Sequence, residues 1–185
     1  MHLFIIYVFL ILLLKLYLNF RQIKSIKVNI NAVPDKFISK VSLVEHKKAA
    51  NYNIVKLIKN NLYEIFSAIL LLIFTVGGGI DFINSKVEAL NYTPLTTGVC
   101  VILAYFIINY ILTLPFSIYE TFKIEQSFGF NNTTLKLFIV DMIKGTIITA
   151  IIMIPLLYLS LWLMDKMAGN WWIYIWLVLV MAKEK

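Results

Sequence analysis

Apolar residues in this chain gather into long uninterrupted runs rather than recurring on one face of an element. About 20 helical residues cross the ~30 Å hydrocarbon core of a bilayer. Four runs meet that requirement: Leu3–Phe20, Leu62–Ile80, Leu95–Ile118 and Leu137–Met164. Only Lys15 interrupts the first. A fifth run, Trp171–Ala182, has 12 residues before Lys183-Glu184-Lys185. At 1.5 Å per residue it reaches about 18 Å, too short to span. The pattern predicts an all-α membrane protein, a helical bundle with four complete transmembrane helices and a truncated fifth, forming one membrane domain over residues 1–185.

The polar stretches between the runs predict less regular structure, with one exception. Pro34 steers Val33 away from helix and breaks the segment after the first span. Beyond it, Ser42–Asn61 has helical texture: Leu43, Ala50, Ile54, Leu57 and Ile58 fall near one face, and Lys47, Lys48, Lys56 and Lys59 on others. This predicts an amphipathic basic cytoplasmic helix at the membrane surface, leading into the second span. A solvated basic face without a specific partner is the plainer reading of the same residues. In the loop after the third span, Gly129 suits a positive φ, and Asn131, Asn132, Thr133 and Thr134 are candidate N-caps for the fourth helix. Gly77-Gly78-Gly79 lacks the spacing of a phosphate-binding loop and instead suits a helix end or a close helix contact.

Composition confirms the class and sets the orientation. Of 185 residues, 61% are hydrophobic and 15% charged, and the mean hydropathy is +0.83. Soluble domains carry roughly 45–50% apolar and about 25% charged residues, so a soluble enzyme, a nucleic-acid module and a secreted disulfide scaffold are all excluded. Lone Cys100 cannot form an internal disulfide. The net charge of +7 is concentrated in Arg21–Asn61, which holds nine basic residues against Asp35 and Glu45. The positive-inside rule makes that segment cytoplasmic and the N-terminus outside or luminal. It also implies the lipid bilayer and anionic headgroups as partners, with no nucleic acid. No basic n-region or small-x-small site marks the first run as a cleaved signal peptide, so it reads as a retained anchor. Trp162, Trp171, Trp172 and Trp176 suit an aromatic belt near the outer interface. Asn91-Tyr92-Thr93 matches a glycosylation sequon, relevant only in a secretory pathway.

Charges inside apolar spans are the residues to ask about chemistry, because they are costly there. Lys15 and Glu64 sit near inner helix ends and can snorkel to the interface. Asp141 and Lys144 are three apart on one helical face, able to pair with each other or a neighbouring span, or to line a polar cavity. A catalytic zinc helix needs two His with three residues between them, one of those a Glu. This chain has only His2 and His46, and His46 reads as a solvated surface residue. No catalytic or metal-binding residue is therefore assigned.

Several strings resemble one family. Arg21-Gln22, Ala32–Phe37 (AVPDKF) and Ser42–Tyr52 (SLVEHKKAANY) are similar to the start of bacterial CAAX prenyl proteases. Leu114–Gly145, centred on the Gly129-Phe130-Asn131 string, resembles the family's most recognisable membrane stretch, and Gly169–Trp176 the beginning of its fifth span. The resemblance runs from about Arg21 to Val180. It implies a membrane-embedded zinc metalloendopeptidase that removes the C-terminal tail of isoprenylated CAAX proteins; bacterial relatives look more like membrane quality-control proteases. Seven spans would enclose a chamber, with an HExxH zinc helix on the cytoplasmic side after the fifth. This chain stops before that helix, so zinc is expected only in a full-length relative and a C-terminal catalytic half is the partner it lacks. Asp141, Lys144, Glu120 and Asn131 are then the polar residues expected to be structural or to line the chamber. A catalytically empty membrane scaffold or adaptor is the competing expectation, and a small transporter using Asp141 and Lys144 a third.

Overall fold

The computed structural model of the chain describes residues 1–183, and every regular element among them is helical. Helix α1 spans His2–Asn29, α2 Leu43–Thr75, α3 Gly79–Glu88, α4 Pro94–Tyr119, α5 Leu135–Met167 and α6 Trp171–Lys183. A π-helical turn, Glu120–Glu125, prolongs α4, and 3₁₀ turns cover Asp35–Phe37 and Ala168–Asn170. Among the described residues, four helices are long and apolar enough to cross a membrane: α1, α2, α4 with its π turn, and α5. Residues such as Leu13, Ile107 and Ile151 lie exposed on them, a surface that hydrocarbon accommodates and water does not.

Local chemistry fixes where the helices start and stop. Ser42 caps α2: its hydroxyl accepts from the Glu45 amide at 3.2 Å, and the Glu45 carboxylate accepts the Ser42 amide at 2.9 Å. This reciprocal capping box satisfies amides that a helix start leaves unpaired. At the other end of α2, the Val76 and Gly77 amides both donate to the Leu72 carbonyl at 2.9 Å. Gly78 then takes φ +77°, and a Cβ at Gly77 would lie 2.7 Å from the Ile73 carbonyl oxygen. Only glycine fits both positions, so α2 ends at Thr75 rather than running to Ile80. Helix α5 is capped by Thr134, whose hydroxyl accepts the Leu137 amide at 3.2 Å. Pro115 and Pro155 sit inside α4 and α5; each removes one amide donor, a loss membrane helices tolerate.

The chain divides into two compact units. The first comprises Met1–Gly79 and Asn109–Thr133; the second comprises Ile80–Ile108 with the residues from Thr134 onward. In the first unit α1 and α2 pack antiparallel, since Lys15 meets Glu64 while Asn19 meets Asn61. Val8, Ala50, Ile54, Leu70 and Phe74 are buried there. In the second, Val99 of α4 and Leu163 of α5 are buried, and a Cβ at Gly98 would come within 3.0 Å of the Leu161 side chain. The Tyr158 hydroxyl also reaches Thr96 Oγ1 at 3.4 Å.

Two elements differ from the sequence pattern. The basic stretch after Ser42 and the second apolar run form one continuous helix, because no glycine or proline separates them. Between the second and third runs, where the pattern predicts a loop, α3 buries Ile83 and Val87 one turn apart.

Candidate functional site

Within the first unit, α1, α2 and the end of α4 border a polar cleft of about 600 Å³. Lys15, Asn19, Lys59, Glu64 and Glu120 line it, together with the aromatic rings of Tyr63 and Phe116. Its charged core is built by helical spacing. Lys56 and Lys59 lie three apart on α2 and project from one face. Glu120, the first residue of the π turn, stands opposite them. Lys56 Nζ contacts one carboxylate oxygen of Glu120 at 2.9 Å and Lys59 Nζ the other at 2.6 Å. Lys59 is only 11% exposed and Glu120 25%, so water screens this contact less than it would a surface pair.

The π turn helps place that carboxylate. Its wider winding rotates the helix face, and residues Glu120 and Ile124, four apart, both serve the packing: Ile124 is 2% exposed. Lower in the loop, Gly129 takes φ +70°. The rings of Phe128 and Phe130, on either side of it, pack edge-on against Tyr52 at 5.4 and 4.9 Å. Lys48 Nζ lies 5.0 Å from the Phe130 ring. The α4–α5 loop is thus fastened to one face of α2 twice, by charge at Lys56 and Lys59 and by aromatic contact at Tyr52.

A second ion pair joins α1 to α2 along the same cleft, Lys15 Nζ to Glu64 Oε2 at 2.8 Å. Beside it, the Asn19 amide donates to Asn61 Oδ1 at 2.6 Å. Phe116 completes the wall, its ring 5.4 Å from Tyr63 and 5.3 Å from Phe66.

The residues singled out from sequence scatter. Glu120 is in the cleft. Asn131 is not among the cleft's lining residues; its Oδ1 accepts the Thr133 amide at 2.6 Å, shaping the turn before α5. Asp141 and Lys144 belong to the second unit, are exposed, and among the described residues form no ion pair with each other. Lys15 and Glu64, read from sequence as separate snorkelling charges, are partners. His46 is half-buried, with Nε2 3.2 Å from the Asn29 carbonyl at the end of α1. Lys56 and Lys59 do not stand out in the sequence as site residues, because i, i+3 lysines are common on any basic helix; what sets them apart is Glu120 facing both. Among the described residues no three His, Cys, Asp or Glu side chains converge to hold a metal ion. The donor set does not fit zinc, and no chemical step is assigned to a metal here.

Comparison with known proteins places this architecture. Residues 22–183 match the family model described as CAAX prenyl protease N-terminal, five membrane helices. The CAAX prenyl protease 1 homolog of Dictyostelium discoideum is 29% identical over 178 residues, covering 89% of this chain and 39% of the relative. The Caenorhabditis elegans homolog is 30% identical over 163 residues, covering 87% and 35% respectively. The crystal structure of S. mikatae Ste24p superposes with a TM-score of 0.84 at 24% identity, over 97% of this chain and 42% of that one. The chain therefore spans well under half the length of the curated relatives it matches.

Proposed function

Because the chain belongs to the family of CAAX prenyl protease N-terminal membrane domains, we propose that it serves as the N-terminal membrane part of a zinc metalloendopeptidase. In this reading it forms wall of a membrane chamber in which isoprenylated CAAX proteins or other membrane proteins are processed. The family match across residues 22–183 is the observation that carries the proposal. Hydrolysis itself would belong to a C-terminal catalytic half bearing the zinc ligands, the chain's principal partner. The contribution of these residues is architectural: the Glu120 contacts and the Tyr52–Phe128–Phe130 cluster hold the α4–α5 loop on α2. Asp141 and Lys144, exposed on α5, are proposed to face the chamber or the partner. Positive-inside logic sets the basic segment Arg21–Asn61 in the cytoplasm and the N-terminus on the opposite side.

Membranes from the host, with and without the gene, test the proposal. They are supplied with a farnesylated CAAX peptide and, separately, with an unprenylated membrane-protein substrate. Chelator-sensitive cleavage of at least one substrate should drop when the gene is deleted. Equal cleavage of both substrates by the two membranes would leave the scaffold reading as the better one.

A further inference from the structure

The ion cluster at the polar cleft of the first unit holds one more positive charge than negative, because Lys56 reaches Glu120 from outside the residues that line the cleft. Lys15 and Glu64 neutralise each other at 2.8 Å, whereas Glu120 is the one carboxylate among the described residues that contacts both Lys56 and Lys59. The more covered of those two lysines is Lys59, at 11% exposure. An ammonium removed from water needs a full counter-charge to offset its desolvation, and half of one carboxylate does not supply it. A single added anion beside Lys59 brings the five-group cluster to neutrality.

The surroundings of Lys59 say what kind of anion. On one side lies the polar cleft, where Asn60, Tyr63 and Ser117 offer hydrogen-bonding groups. On the other lies an apolar groove of about 420 Å³ walled by Val55, Ile58, Leu62, Pro115 and Tyr119. Lys59 and Phe116 border both spaces. A largely covered cation at the seam between a polar and an apolar recess, on membrane-spanning helices, matches an amphiphile with one negative charge at its head.

We infer that this seam binds an anionic phospholipid, with the phosphodiester in the cleft at Lys59 and an acyl chain along the Val55–Leu62 groove. The site is a specific one, unlike the diffuse attraction of headgroups to the basic segment as a whole. It rests on the cleft alone and stands whether or not the chain takes part in proteolysis.

The full chain, purified in neutral detergent, is titrated with dioleoylphosphatidylglycerol and with dioleoylphosphatidylcholine, and bound lipid is counted by native mass spectrometry. One phosphatidylglycerol should be retained per chain, with about fivefold preference over the zwitterionic lipid, the effect of one charge near a membrane surface. Lys59→Gln should abolish that preference, while Lys27→Gln, at an exposed site on α1, should leave it intact. Glu120→Gln raises the excess charge of the five-group cluster from one to two and should strengthen retention about fivefold, a gain that misfolding cannot produce. Equal retention of the two lipids, weaker binding by Glu120→Gln, or equal losses in Lys27→Gln and Lys59→Gln would overturn the assignment. Displacement of the lipid by millimolar inorganic phosphate would assign the cleft to free phosphate and overturn its lipid source.

Discussion

At the scale of single residues, the start of α2 is the most sharply defined feature of the chain. Two Ser42 groups serve Glu45: the backbone amide first, then the hydroxyl, hold its carboxyl below the ordinary value of 4.5. A lowered carboxyl pKa contributes stability above the unfolded value and loses it as pH falls through the folded one. Ser42→Ala removes the cap and should destabilise the first turn of α2 by about 1 kcal/mol at neutral pH. Hydrogen exchange of the first α2 amides checks this, and the gap between wild type and variant should shrink as pH falls below 4.5. A gap that stays constant into acid would mean that the Ser42 hydroxyl contact with Glu45 contributes nothing, because the backbone amide contact persists in the variant. The Ser-x-x-Glu spacing that makes this cap lies openly in the sequence, as does the positive φ of Gly129. The Lys15–Glu64 and Lys59–Glu120 pairs do not, because their members are 49 and 61 positions apart. Only the antiparallel packing of α1 on α2, and the return of α4 to the same unit, bring them together.

At the scale of elements, the apolar runs announce the spans, while their ends are set by chemistry that hydropathy does not weigh. Four helices coincide with four runs, yet α1 continues past Phe20 to Asn29 and α2 begins at Leu43, 19 residues before the predicted Leu62. Polar residues at a helix end do not stop it; a glycine with positive φ or a proline does. Helix α3 was hidden for a related reason, since ten residues with Asp81, Asn84, Ser85, Lys86 and Glu88 read as loop by composition. The glycines provide the test. Gly78→Ala forces a Cβ into φ +77° and should cost about 1–2 kcal/mol, and Gly77→Ala should cost more because its Cβ meets the Ile73 carbonyl at 2.7 Å. Gly145 lies in α5 with nothing within 4 Å of an added Cβ, so Gly145→Ala should stabilise by up to about 1 kcal/mol from helix propensity. Thermal unfolding of the three variants in micelles should rank them Gly145→Ala, Gly78→Ala, Gly77→Ala. If Gly77→Ala melts with the wild type, the glycine triplet does not terminate α2 as described.

At the scale of the whole molecule, class and family were the most legible properties, and the polar site the least. Hydropathy alone separates this chain from soluble proteins, and the Gly129-Phe130-Asn131 string that carries the resemblance also has a local structural role: its Phe130 ring, with that of the preceding Phe128, packs edge-on against Tyr52. Orientation in the bilayer rests on charge. Nine basic residues between Arg21 and Asn61 resist translocation, whereas the segment from Asp81 to Pro94 carries Lys86 as its one basic residue. The first segment runs into the start of α2 and the second follows its end, so a single crossing of the membrane by that helix puts them on opposite sides. Replacing Cys100 with Ser gives a background free of thiols, into which Lys40→Cys and Ser85→Cys are introduced separately. Both positions are exposed. A membrane-impermeant maleimide applied to intact cells should label Ser85→Cys and spare Lys40→Cys until the membrane is opened. The reverse pattern would invert the molecule and move the Lys59 cleft toward the other leaflet. Labelling of both from outside would mean that α2 does not cross, and the four-span reading would fail at its second helix.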